Sequence, residues 1–210
     1  MEAVVPVLAL GLLLGVRHAF DADHVVAVTA IVSRERSVRG AAVVGALWGL
    51  GHSAMIFVVG GAIVVFKVTI PPRLGLTLEM AVAVMLMLLG LRNLRRAGVP
   101  PRARRPLAVG VVHGLAGSGA VALLVLTAIG DGRSALAYLL VFGLGTTAGM
   151  VAMTATVAIP AVHGLRRFEH AGRWVVVAAG LASVAFGALL AYRIGVVDGL
   201  FSATPSWIPQ

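Results

Sequence analysis

The chain has 210 residues, 60% of them hydrophobic and only 12% charged, with a formal net charge of +9. A mean hydropathy of +1.01 excludes an ordinary soluble domain, which is about half apolar and about a quarter charged. The basic residues gather between apolar runs instead of forming one face, which argues for anionic lipid beside loop ends and against nucleic acid as the partner.

Six apolar segments follow, at 4–32, 41–66, 74–94, 107–130, 134–162 and 172–193. The fold class they imply is an all-α integral membrane protein of about six transmembrane helices, because a crossing needs roughly 20 apolar residues. The first segment, as one straight helix, would be about 43 Å long, so it tilts, protrudes or breaks. It contains Arg17-His18-Ala19-Phe20-Asp21-Ala22-Asp23-His24 between apolar flanks. Each charge at bilayer centre costs roughly 2.5–3.5 kcal/mol on insertion scales, so something must compensate. On a continuous helix Arg17, His18, Asp21 and His24 share one face, with Asp21 within reach of Arg17 and His24. Asp23 points elsewhere, to meet another helix, cap a broken turn, or join the site if the helix unwinds. The competing reading is an extramembrane loop, but neither apolar flank is long enough to span alone.

The second segment carries Leu50-Gly51-His52-Ser53 with no Asp, Glu, Lys or Arg anywhere between Ala41 and Phe66. The third has Glu79 near its start, read as interfacial. Residues 95–106 form an Arg- and Pro-rich cytoplasmic linker in which Pro100, Pro101 and Pro106 prevent helix continuation. The fourth opens on His113-Gly114-Leu115-Ala116-Gly117-Ser118-Gly119, and the fifth holds Leu144-Gly145-Thr146-Thr147. His163 and His170 fall in a basic loop and read as solvated. The tail, 194–210, reads as irregular, lying at the interface. Scattered methionines such as Met55, Met85 and Met150 read as packing and not as a copper site.

The linker divides the chain into 1–94 and 107–193. Trp48-Gly49-Leu50-Gly51-His52-Ser53 matches Phe142-Gly143-Leu144-Gly145-Thr146-Thr147, and His18 to His52 spans 34 positions where His113 to Thr146 spans 33. Three crossings in each half make the halves opposite in orientation, the inverted-repeat plan with a substrate site near midplane. Twelve Lys and Arg lie in the loops after the odd-numbered segments and four in the alternate loops and tail, which puts the former in the cytoplasm and both termini outside. The N-terminal run has no basic n-region or small-residue cleavage site, so it is expected to be retained.

Imidazole and carboxylate without any cysteine thiolate suit a borderline divalent ion such as Ni²⁺, Co²⁺ or Zn²⁺, and the ligand types alone do not choose among these. The candidate metal residues are His18, Asp21, Asp23, His24, His52 and His113, with Arg17, Ser53, Ser118, Thr146 and Thr147 in support. Three rivals use the same residues: an intramembrane metal-dependent hydrolase with Asp21 as base, a metal exporter, and a passive membrane subunit of a metal-dependent assembly. Ser118 between glycines is weak ground for a serine nucleophile.

At His18…Asp23-His24 the chain resembles the nickel/cobalt transporter family, whose hallmark is a His, four residues, then Asp-His. Leu50-Gly51-His52-Ser53 resembles a second family motif, and the string from His113 to Ser118 is similar to short, urease-accessory-type members. The resemblance implies secondary transport of Ni²⁺ or Co²⁺ across a prokaryotic inner membrane, in service of metalloenzymes such as urease or hydrogenase, with the metal as cargo and no resident cofactor. It implies His18, Asp23 and His24 as recognition residues, supported by Asp21 and His52, and it leaves an oligomer open. Longer members have eight helices, with this motif on the second. Their later Leu-Gly-Phe-Asp-Thr context has no Asp here, where Leu144-Gly145-Thr146-Thr147 stands.

Overall fold

A computed structural model of the chain describes residues 4–33, 35, 37–67, 70–95, 104–116, 129, 131–167 and 169–207. Its helices are α1 (Val4–His18), α2 (Ala22–Val32), α3 (Val38–Phe66), α4 (Pro72–Arg95), α5 (Arg104–Leu115), α6 (Gly132–Arg167) and α7 (Glu169–Tyr192), ending in a π-helical turn at Arg193–Val197. No strand occurs among the described residues.

Four stretches, Val38–Phe66, Pro72–Arg95, Gly132–Pro160 and Arg173–Val197, are long and apolar enough to cross a membrane. A fifth span arises if Val5–His18 and Ala22–Val32, bent by 53°, act as one broken crossing. Against the six expected spans, the described residues therefore supply four or five. The shorter apolar helix Pro106–Leu115 covers only the start of the expected 107–130 segment, and most of the remainder, including Ser118, lies outside the described residues. The side chains of His163 and His170 lie outside them too. Val5, Leu13, Val58, Phe66, Leu144 and Leu189 point away from the protein. Exposed apolar belts of this kind suit lipid, while the helices satisfy their own backbone groups.

Helix ends follow their sequences. Ser37 caps α3 by accepting from the Gly40 amide at 3.0 Å. Asp131 caps α6, taking both the amide and the hydroxyl of Ser134 at 2.9 Å. Those bonds hold its carboxyl below the usual carboxylate range. Pro106 lies past the end of α4, at the start of the next helix. It sits in the first turn of α5, where a missing N–H leaves no hydrogen bond unmade.

The layers are set by close backbone approach. α3 packs along α6 and against α5, α1 packs along α6, and α4 packs along α7. Gly15 lies on the Phe142 carbonyl and Thr146 amide, and Gly110 lies on the Trp48 carbonyl and His52 amide. Gly145 faces the Leu12 carbonyl and Val16 amide as Gly51 faces the Leu107 carbonyl and Val111 amide. Such contacts need residues without a side chain, the usual means of tight helix association in lipid. Polar ties fix the second pair: Ser183 donates to the Leu86 carbonyl at 2.8 Å, and Asn93 donates to the Ala30 carbonyl at 2.5 Å, joining α4 to α2.

After the π-helical turn, residues 198–207 of the tail hold no regular secondary structure, yet they dock against α4. Trp207 lays its ring over Gly75 and donates Nε1–H to Glu79 Oε1 at 2.8 Å, so Glu79 is engaged by the tail. Arg73 donates to the Ser202 carbonyl at 3.3 Å, and the Ser206 amide to the Asp198 carbonyl at 3.0 Å. Trp207→Ala is expected to destabilise the protein by about 0.5–3 kcal/mol, as thermal unfolding in detergent would measure.

Candidate metal centre

The site is built on the break between α1 and α2. α1 ends at His18, and Asp21 stands at the N-cap position of α2 with its carboxylate turned to His18 and making no capping bond. Asp21 takes an extended conformation before α2, and Asp23 places its acid in the first turn, where the helix dipole favours negative charge. Through the break the Phe20 amide bonds the Arg17 carbonyl at 2.9 Å and the Asp21 amide bonds the His18 carbonyl at 3.1 Å.

That turn leaves the His18 carbonyl facing His24 Nδ1 at 2.8 Å. A carbonyl only accepts, so Nδ1 carries the hydrogen and Nε2 of His24 presents a lone pair. His24 is fully buried, and its Nε2 has no hydrogen-bond partner. The same logic orients His18: Nδ1 donates to Asp21 Oδ2 at 2.7 Å, leaving Nε2 as the lone-pair atom. That atom accepts a hydrogen bond from His52 Nε2 at 3.0 Å, which a bound ion would displace. Two nitrogens bound at right angles to one ion at about 2.1 Å would stand about 3.0 Å apart. His52 is fully buried, and its Nδ1 has no hydrogen-bond partner.

Asp23 forms the other side. Its Oδ1 accepts the His24 amide at 3.0 Å, and its Oδ2 accepts from His113 Nε2 at 2.7 Å, linking α2 to α5. His24 is central: its ring centroid lies 4.7 Å from His18, 5.0 Å from His52 and 4.6 Å from His113. Two triplets of ligand atoms result, His18/His24/His52 and Asp23/His24/His113, with the atoms of each within 4.8 Å of one another. Asp21 is 45% exposed and Asp23 21%, so the carboxylates lie towards solvent and the imidazoles behind them.

His18, Asp23, His24, His52 and His113 enter the two triplets, and Asp21 reaches them through His18 Nδ1. Among the described residues, the supporting ones enter neither triplet. Arg17 is exposed, and among the described residues it forms no ion pair. The break replaces the expected Arg17–Asp21 partnership with His18–Asp21. Ser53 donates to the Gly143 carbonyl at 2.9 Å and lies 3.1 Å from Thr147 Oγ1, at the crossing of α3 and α6. Thr146 spends its hydroxyl on the Phe142 carbonyl of its own helix. Two aromatic walls were not anticipated. Trp48 lies 5.5 Å from His24 and 5.6 Å from His113, and Phe142 lies 5.5 Å from His18. The available signal for Trp48 was its position four residues before His52, on the same helix face.

Buried imidazoles beside two carboxylates, with the His18 and His24 rings aimed by outer hydrogen bonds, are a preorganised site for a borderline divalent cation. A family model described as high-affinity nickel-transport protein matches residues 5–95. The chain is also 30% identical over 216 aligned residues to the urease accessory protein UreH of Bacillus sp. (strain TB-90), covering 93% of this chain and 94% of that relative. The chain belongs to the nickel-transport family. No solved structure matches it. The part matched by the nickel-transport model includes His18, Asp23, His24 and His52 and ends before α5 and His113. Membership of a nickel-transport family gives the hydrolase alternative no support.

Proposed function

We propose that this multi-pass membrane protein is a secondary transporter that carries Ni²⁺, with Co²⁺ as the nearest competitor, across a prokaryotic inner membrane. The observation that carries the reading is the convergence of His18, His24 and His52 in a buried triplet, the first two flanking the break in a bent pair of helices long and apolar enough together to cross a membrane and the third on α3. Irregular backbone at such depth is tolerated where it lines a cavity or a site. The ion exchanges water for imidazole nitrogens and Asp23 oxygen, and it is released when the two halves of the protein move against each other.

Two inverted halves, residues 1–94 and 107–193 joined by the basic 95–106 linker, supply that movement. The reciprocal contacts support this division. Gly15 on Phe142 and Thr146 is matched by Gly110 on Trp48 and His52, and the pairs correspond in the sequence match between 48–53 and 142–147. Ser53 and Thr147 then meet where a pseudo-two-fold axis would pass. Six crossings, with α5 opening the fourth, put both termini outside, in keeping with the basic loops on the opposite side. His18, Asp23 and His24 recognise the ion, Asp21 orients His18, and His52 and His113 complete the cluster.

Purified protein in liposomes tests this directly. Nickel-63 should accumulate with the wild type and fall to background with His18→Ala or Asp23→Asn. Near-normal accumulation by either variant, eluting as folded protein, would refute the residue assignment, and a wild type that moves no nickel would remove the transporter reading. Acid should weaken binding, because a protonated imidazole has no lone pair for the metal. Equilibrium dialysis over a pH series on folded protein should therefore show nickel affinity falling towards acid.

A further inference from the structure

The two triplets share one residue, and they share the same atom of it. His24 Nδ1 is committed to the His18 carbonyl at 2.8 Å, so both the His18/His24/His52 and the Asp23/His24/His113 sets must draw on His24 Nε2. That atom is buried and without a hydrogen-bond partner, and one lone pair binds one ion at a time. We propose that the cluster offers a single ion two successive seats, an all-imidazole seat on His18, His24 and His52 and a mixed seat on Asp23, His24 and His113. His24 Nε2 is the pivot retained throughout. The inference rests on the nickel-transport reading above.

The arrangement of elements separates the seats mechanically. His52 on α3 and His113 on α5 are fixed to each other, because Gly110 and Gly114 bring α5 onto the backbone of Trp48 and His52. Their ring centroids stand 6.1 Å apart. His24 is on α2, a separate 11-residue helix whose contacts include α4 and α7. A shift of α2 relative to the α3–α5 pair moves His24 from one partner towards the other without releasing the ion into lipid. The seats also differ in charge. The mixed seat has a carboxylate that is 21% exposed, suited to accepting or surrendering a hydrated cation, whereas the all-imidazole seat is neutral and enclosed. Exchange between them lets an ion be desolvated in two steps.

Cobalt absorption spectra, nickel stoichiometry and liposome flux on the full-length protein test the proposal. The wild type should bind one ion. His113→Gln should keep one ion in a nitrogen-only environment, and His52→Gln should keep one in a mixed nitrogen and oxygen environment, with visibly different cobalt spectra. Each should lower nickel flux at least tenfold, and the double variant should bind none. Asp23→Asn provides a second change in the mixed seat should His113→Gln fail to elute as a folded species. Two ions bound at once, identical spectra from the two single variants, or full flux by folded His113→Gln would overturn the two-seat proposal. His24→Ala transporting normally would instead overturn the nickel-site reading beneath it.

Discussion

His24→Ala is expected to abolish nickel accumulation and nickel binding together, the largest effect of any single substitution in the cluster. Both ligand triplets contain His24, so the change leaves neither with more than two donors. It also removes the hydrogen from the His18 carbonyl and opens a void between four rings. Losing an outer-shell partner commonly lowers metal affinity 10–100-fold, so losing this shared ligand should exceed about 100-fold. Asp21→Asn calibrates the scale. It retains a polar group near His18 Nδ1 but weakens the bond that aims that ring, and it should fall within roughly the 10–100-fold range. Nickel-63 uptake and equilibrium dialysis on matched amounts of folded protein measure both. An Asp21→Asn defect as deep as that of His24→Ala would mean that Asp21 is itself a ligand.

Gly110→Val and Gly15→Val are expected to prevent assembly of the helices. A Cβ at Gly110 would enter the space of the Trp48 carbonyl, and one at Gly15 that of the Phe142 carbonyl. Backbone cannot rotate away as a side chain can, and overpacking of about 1–3 kcal/mol or more follows. The close approach that holds lipid-embedded helices together is lost with it. Gly61→Ala is the control, since its nearest neighbour would be Leu136 Cδ2 at an ordinary 3.8 Å. Size-exclusion profiles of fluorescently tagged protein should show the two valine variants aggregated or absent and Gly61→Ala monodisperse. A monodisperse Gly110→Val would contradict the packing described for α3 and α5.

Hydropathy made the long spans legible: 41–66, 74–94 and 134–162 fall within Val38–Phe66, Pro72–Arg95 and Gly132–Arg167. Their ends were less legible, because capping by Ser37 and Asp131 is a polar signal outside the apolar run. The first segment was visibly too long, yet its pairing pattern was misjudged. The Arg17–Asp21 contact presumed a continuous helix, and the turn at 19–21 turned Asp21 to His18 instead. The cluster's members could be recognised from residue type, but its connections could not. The bond between Asp23 and His113 crosses 90 positions and exists because glycines let α5 reach α3. Trp48 carries only the signal of lying one helical turn before His52, which does not reveal its contacts with His24 and His113. The tail's docking on Gly75 and Glu79 was equally hidden, since Pro205 and its neighbours resemble any disordered end.

The bend at residues 19–21 has one more consequence. α1 lies along α6, whereas α2 touches α7, α4 and α6 and is tied to α4 by Asn93. His18 and His24 therefore sit on separate helices joined by three residues. A cation held by both rings would act as a clasp across that joint.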